Sequence, residues 1–226
     1  MSKTVVILGA SQGIGAALVQ HFAALQNTNV VALSRNLAQM QVKFKHTNVQ
    51  CFALDIANDV HQQIQQLPLT APIDILINNA GLLINKPFAE LTHADFTESY
   101  QVNVIGIMEA TQALLPRLAK QAHIVNISSM GGFQGSLKFA GLAAYSTSKA
   151  ALCAFTELFA EEYKSTQWKM NCLCLGAVQT EMLEAAFPGY IAPTQPAQMA
   201  QFIADFALHS GAFLNGKIIP VSSSNP

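Results

Sequence analysis

Charge is scarce in this chain. Only 11% of its 226 residues are Asp, Glu, Lys or Arg, against roughly 25% in an average soluble domain. The 12 basic and 13 acidic side chains leave a net charge of −1. That balance offers no basic face to a nucleic acid or an anionic membrane, and neither is an expected partner. Long apolar runs are missing too. Hydrophobic residues reach 51% and mean hydropathy is +0.30, yet no stretch approaches the ~20 uninterrupted apolar residues that cross a bilayer. Cysteine is limited to Cys51, Cys153, Cys172 and Cys174, without framework spacing. Cys172 and Cys174 sit two apart in an apolar run, on one face of a strand. They are too close for a metal-finger pattern and no second pair completes one, so buried thiols and no metal are expected. No leader segment is expected either: Met1-Ser2-Lys3 enters a strand-like run at once, which makes a cytoplasmic location the expectation.

What is present is alternation. Short, nearly continuous apolar runs occur at 4–8, 30–33, 49–54, 73–77, 124–127, 170–175 and 217–221. Such runs mark strands buried on both faces, as in parallel sheets. Helical spacing appears between them, at 14–25, 60–67, 92–120, 143–163 and 196–208. The segment 92–120 is too long for one ordinary helix, and a break near Ser99 is expected. Strand–helix alternation throughout predicts βαβ units and an α/β, doubly wound, Rossmann-like sheet in a single domain over 1–226. The stretch 181–196 contains Pro188, Pro193 and Pro196 with little periodicity. It reads as a mobile connection or as a flap over a site at the carboxyl ends of the strands.

Gly9-Ala10-Ser11-Gln12-Gly13-Ile14-Gly15 follows the first strand and opens the first helix. Glycines there allow a tight turn, close approach of backbone to a pyrophosphate and close helix–strand packing, while the helix start offers N–H groups to an anion. An ordinary strand–helix turn is the bland alternative. The spacing is G-x-x-x-G-x-G. Together with Asn78-Asn79-Ala80-Gly81, Ser128-Ser129 and Tyr145-Ser146-Thr147-Ser148-Lys149, it resembles the short-chain dehydrogenase/reductase family over almost the whole chain. The resemblance implies a seven-stranded parallel sheet with helices on both faces and a nicotinamide dinucleotide cofactor.

Charge at the end of the second strand selects the dinucleotide. An NAD site usually offers an acid there to the ribose hydroxyls. Ser34 stands in that place, followed by Arg35 and Asn36, and Arg35 can pair with a 2′-phosphate through its planar fork. NADP is therefore expected, with NADPH preferred over NADH. A solvated loop arginine is the alternative, since Gln12 replaces a second basic residue found in many family members. The resemblance places Asp55 and Ile56 beside the adenine, and Asn79, Ala80 and Gly81 beside the ribose and the central sheet. It also leaves Val178 and Thr180, in Leu175-Gly176-Ala177-Val178-Gln179-Thr180, for the nicotinamide carboxamide. Leu175 stands where the family has proline.

Tyr145 and Lys149 are four apart in a helical segment, so their Cβ atoms lie about 6 Å apart on one face. Moving a phenol pKa from about 10 to about 7 takes about 4 kcal/mol. One cation about 4 Å away supplies roughly that much at an effective dielectric near 20. Tyr145 is thus the expected general acid in carbonyl reduction and base in the reverse direction, with Lys149 lowering its pKa and, by resemblance, holding the ribose. In isolation such a pair is common on helix surfaces. Ser129, at the end of the fifth strand, would polarise the carbonyl, while Ser128 points the other way. The 16 positions from Ser129 to Tyr145 exceed the family pattern, so 131–142 is expected to loop out, and Ser136 within it is a weaker alternative. Asn103 is placed by the resemblance where side chain and main chain hold a water linking Lys149 to solvent; a satisfied helix residue is the alternative.

The six histidines are scattered without metal spacing or a serine–acid partnership. The apolar segments 82–88, 133–142 and 182–191 predict a pocket for a small neutral carbonyl or alcohol, open to solvent. The resemblance implies a homodimer or homotetramer formed through 92–120 and 143–163, and 221–226 would reach a neighbour or fray. A non-catalytic nucleotide-binding sensor or scaffold is the rival class, because fold alone does not fix function.

Overall fold

In the computed structural model, which describes residues 2–222, the predicted alternation becomes one sheet. In chain order the elements are β1 (Lys3–Leu8), α1 (Gly13–Ala24), β2 (Thr28–Ser34), α2 (Leu37–Lys43), β3 (Val49–Ala53), α3 (Val60–Gln65) and β4 (Ile73–Asn78). Then follow α4 (His93–Tyr100), α5 (Gly106–Leu114), β5 (Leu118–Ser129), α6 (Ala143–Glu162), β6 (Lys169–Leu175), α7 (Glu181–Ala186), α8 (Pro196–His209) and β7 (Ile218–Val221). All seven strands pair in parallel, in the order β3-β2-β1-β4-β5-β6-β7.

Apolar residues on both faces of each central strand dictate this arrangement. In β1, Val5 and Ile7 pack toward α1 and α8, where Leu18, Phe22 and Ile203 meet them. Val6 and Leu8 pack toward the opposite layer, built from Ile64 of α3, Ile107 and Leu114 of α5, and Leu152 and Phe159 of α6. A sheet covered on both faces needs apolar residues at successive positions, which is why the runs show no alternation. β1 and β4 lie side by side although α1 and α3 pack on opposite faces. That reversal opens a crevice beyond their carboxyl ends.

Polar groups buried beneath the crevice fix the helices that flank it. Asn78 donates through Nδ2 to Asn126 Oδ1 at 2.7 Å and to Thr111 Oγ1 at 3.1 Å. Asn126 donates onward to Thr156 Oγ1 at 2.8 Å. The chain of amides and hydroxyls ties α5 to β4 and α6 to β5, since an unpaired buried polar group is costly.

The segment 92–120 breaks just past Ser99, as expected: α4 ends at Tyr100 and a π-helical turn follows at Gln101–Ile105. It departs from expectation at its far end. Its helix ends at Leu114, because Pro116 holds a short turn at 115–117 and the chain is already strand by Leu118. Two short helices, α2 and α7, fall where no helix is expected. Each spans less than two turns of α-helix and is capped locally, by Asn36 and Thr180 respectively, so neither carries a periodic apolar stripe. No helix among the described residues is long and apolar enough to cross a membrane. Of the segment 221–226, residues 223–226 lie outside the described residues.

Candidate active site

The first wall of the crevice is the glycine turn after β1. Gly9 has φ +76, and a Cβ there would lie 2.6 Å from Cα of Ala80. Gly15 lets α1 seat on the turn, since a Cβ would fall 2.0 Å from the Gly9 carbonyl oxygen. Asn79 locks the turn from β4 by donating its Nδ2 to that same oxygen at 2.9 Å. Asn79 therefore supports the glycine backbone with its amide. Gln12 starts α1 without a side-chain cap, so Gly13 and Ile14 begin a helix whose first N–H groups are not claimed by a cap.

The second wall comes from β2 and β3. Ser34 donates to Ser11 at 3.0 Å and joins the end of β2 to the glycine turn. Arg35 is exposed at the same rim. Asn36 spends its side-chain oxygen on the Gln39 N–H as the cap of α2, which narrows its expected cofactor role. The Asp55 carboxylate accepts from Ala57 N–H at 3.0 Å and Asn58 Nδ2 at 2.9 Å. Partial burial pushes the Asp55 pKa up, but these hydrogen bonds and the Arg35 charge bring it below the usual value. Ile56 is buried in the core below, its carbonyl pressed against Gly106 at the start of α5.

Tyr145 and Lys149 stand on the first turns of α6, facing the same crevice. Both are buried, at 9% and 4% exposure. Lys149 donates its Nζ to the Ile127 carbonyl at 2.9 Å and lies 6.0 Å from the centroid of the Tyr145 ring. Burial depresses the Lys149 pKa to about 8. Burial likewise raises the Tyr145 phenol above its ordinary value, and a hydrogen bond with Ser129 offsets only part of this. Against the lowering expected from a cation about 4 Å away, desolvation dominates the phenol in the cofactor-free chain, and the Lys149 ammonium is engaged by Ile127. Gly81 leaves room for Lys149, because a Cβ there would lie 3.2 Å from Nζ.

Ser129 accepts from Gly131 N–H at 3.2 Å, which leaves its hydroxyl hydrogen for the phenol or a substrate oxygen. Ser128 points into the core and donates to the Lys149 carbonyl at 2.8 Å, as strand alternation requires. Ser136 drops out as an alternative: its hydroxyl donates to the Met130 and Phe133 carbonyls. Asn103 sits buried in the π-helical turn, with hydrogen bonds on both its amide nitrogen and its amide oxygen. It donates to the Leu82 carbonyl at 2.8 Å and Ser148 Oγ at 2.9 Å, and accepts from Leu82 N–H at 2.8 Å. These bonds brace the loop after β4 against α6.

The remaining wall is made of loops. The segment 181–196 is folded, with α7 inside it. Thr180 accepts from Leu183 N–H to cap α7, and its methyl group faces Gly13. Val178 forms an isolated bridge with Thr194. Asn85 donates to the Ala186 carbonyl at 2.7 Å, and Lys86 N–H to the Gly141 carbonyl at 2.9 Å, so three loops are knit together. Leu83, Leu137, Phe139, Met182, Leu183 and Tyr190 face the cavity from them. Lys138, not singled out from sequence, organises the long loop by donating to the Gly131 and Phe133 carbonyls and Ser136 Oγ. Gly131 and Gly132 were also missed; a Cβ at either would strike α6, at Ser146 or Lys149. Cys153 is a third omission. Its spacing gave no hint that α6 lays it against Cys172 and Cys174.

These walls enclose about 840 Å³, within the size range of small-molecule and cofactor sites. The donor set fits a dinucleotide: open helix N–H groups at one end, Arg35 at the rim, and Tyr145 and Lys149 at the far end. A profile described as short chain dehydrogenase matches residues 3–190. The chain belongs to that family. It is 36% identical over 191 residues to "Ketoacyl reductase HetN" of Nostoc sp., a match covering 80% of this chain and 65% of that one. It is 31% identical to "3-oxoacyl-[acyl-carrier-protein] reductase FabG" of Aquifex aeolicus, over 80% of this chain and 75% of the relative. The chain thus spans just under two thirds of the first relative's length. Among solved structures, a 3-ketoacyl-(acyl-carrier-protein) reductase from Brucella melitensis complexed with NADH superposes with TM-score 0.87. It covers 99% of this chain and 98% of its own at 21% identity, which speaks to the fold. Membership makes this short-chain dehydrogenase an oxidoreductase with a Rossmann-like, seven-stranded sheet.

Proposed function

We propose that the protein is an NADP(H)-dependent reductase of small neutral carbonyl compounds, with Tyr145 as the proton donor. One observation carries the reading: Tyr145, Lys149 and Ser129 meet at the carboxyl ends of the strands, on the cavity that also contains the glycine turn. A bound nicotinamide would supply the hydride and, once oxidised, a positive charge. The protein's own groups do the rest. Ser129 donates a hydrogen bond to the carbonyl oxygen and orients it toward Tyr145. Tyr145 gives its proton to that oxygen, and its raised pKa keeps it protonated beforehand. The phenolate left behind is stabilised by Ser129 and by the Lys149 charge. Asn103, through Leu82 and Ser148, positions α6 and the loop after β4.

The preference for NADP rests on Arg35 together with Ser34, where an acid would repel a 2′-phosphate. The Brucella relative was solved with NADH, so this preference is a property proposed for the present chain. Neutral substrates are favoured by the apolar loop wall and by Lys138, whose ammonium is consumed within its own loop. The relatives' names make a ketoacyl compound a natural first probe. Exposed Met108 on α5 and Leu158 on α6 support assembly of copies through those helices.

An assay following NADPH consumption over a panel of ketones and ketoacyl thioesters tests the reading. Turnover is expected with neutral members and a loss of about 100-fold or more in Tyr145→Phe, with NADPH affinity retained. Binding of NADPH without turnover on any member would favour a nucleotide sensor.

A further inference from the structure

Three of the four cysteines converge at one point beneath α6. Cys172 and Cys174 face the same way from β6, and Cys153 reaches them from α6, one helical turn past Lys149. Sγ of Cys153 lies 3.8 Å from that of Cys172 and 3.6 Å from that of Cys174. All three sulfurs fall within 4.8 Å of one another. Three thiolates bound to one ion at about 2.3 Å stand about 4 Å apart at the corners of a triangle. The backbone thus already holds the sulfurs near the spacing of a trigonal site.

The surroundings narrow the ion. No carboxylate or imidazole among the described residues joins the group. Met130, Phe133 and Ile218 wall it off, and Ser128 Oγ accepts from the Cys153 thiol at 3.5 Å. A donor set of sulfur in an apolar wall suits soft ions and excludes Mg²⁺, Ca²⁺ and Mn²⁺. Structural zinc takes four ligands, one more than the cluster offers. The reacting residues of the crevice leave these sulfurs unused.

We infer that Cys153, Cys172 and Cys174 form a three-thiolate binding site for a soft d¹⁰ metal ion, with Cu(I) favoured over Zn(II). Each ligating thiol releases its proton to solvent and forms one sulfur–metal bond, and no electron is transferred. Bound metal would tie α6 to β6 directly behind Lys149.

The test uses the full chain, reduced and kept anaerobic. Cu(I) is offered from a chromogenic chelate, and Cd(II) is followed by its ultraviolet thiolate charge-transfer band. Because the sulfurs are buried, each titration is repeated on protein refolded with the ion present. One equivalent should bind, raising Tm by preferential binding to the native state. Uptake and the Tm shift should both disappear in Cys153→Ala and Cys172→Ala and persist in Cys51→Ala. Failure to take up either ion after refolding, undiminished uptake in Cys153→Ala, or tighter Zn(II) than Cu(I) binding overturns the inference. None of these readouts involves cofactor or turnover, so the outcome is independent of the reductase reading.

Discussion

Around Gly9 and Gly15 the crevice is backbone set against backbone, whereas around Leu137, Phe139 and Tyr190 it is side chains carried on loops. The first region leaves no space for a Cβ, and the strand ends Leu8 and Asn78 beside it are fully buried. In the second, Leu137 and Phe139 are 63% and 54% exposed, and the loops are held by few bonds, such as those of Asn85, Lys86 and Lys138. The lesson is a division of labour. The glycine turn is fixed by sterics, whereas the loop wall is an adjustable surface, and under the proposed function it is that wall which chooses the substrate. Substitutions in the first region should therefore act on the whole enzyme, and those in the second on substrate preference alone.

The largest effect is expected at Gly15. In Gly15→Ala the new Cβ meets the Gly9 carbonyl oxygen at 2.0 Å, so α1 must lift from β1. NADPH binding should fall below detection by calorimetry, with a clear drop in Tm. Full binding at an unchanged Tm would show that the turn is not close-packed.

Lys149, where the two regions meet, should show the opposite sign for stability. Its native pKa is held near 8 by burial, against an ordinary 10.5. At pH 7 the native state therefore carries a desolvated charge at a cost of about 3 kcal/mol. Lys149→Met should stabilise the cofactor-free fold by about 2 kcal/mol, allowing roughly 1 kcal/mol for the lost bond to Ile127, while activity is lost. As pH rises from 8 toward 10.5, the native lysine deprotonates before the unfolded one, so wild-type stability rises and the difference narrows. Urea unfolding at pH 7 and pH 10 checks both the sign and the trend.

Arg35→Ala sharpens the comparison at the cofactor rim. Loss of a charge-assisted bond worth about 1.5–3 kcal/mol should raise Kd for NADPH roughly 10- to 150-fold and leave NADH nearly unchanged. Equal weakening of both would remove the 2′-phosphate from the account. The smallest effect is expected at the loop wall. Leu137→Ser should raise KM for an apolar ketone a few fold at constant kcat, with stability changed by less than about 0.5 kcal/mol.

Legibility in the sequence followed the same division. The seven strands were visible because a sheet covered on both faces leaves unbroken apolar runs, and the glycine turn was visible because sterics admit no other residue. Tyr145, Lys149 and Ser129 could be placed because a helix turn and a strand end fix their directions. Less visible was whatever depends on contacts distant in the chain. The engagement of Asn103 by Leu82 and Ser148, the grip of Lys138 on its loop, and the meeting of Cys153 with Cys172 and Cys174 leave no periodic trace. The burial of the Tyr145 phenol left no trace for a related reason: helical spacing gives the distance between two groups but not how deeply both are buried.

Hydride transfer from a reduced nicotinamide to a substrate carbonyl, completed by a proton from Tyr145, is the central claim. It is tested most directly by incubating the protein with NADPH carrying deuterium at the transferred position and the best ketone of the panel, then weighing the alcohol by mass spectrometry. The account predicts one deuterium on the carbinol carbon with wild-type protein and no product above background with Tyr145→Phe. Deuterium retained in bound, unreacted cofactor across the panel, or equal product from the Phe variant, would contradict it.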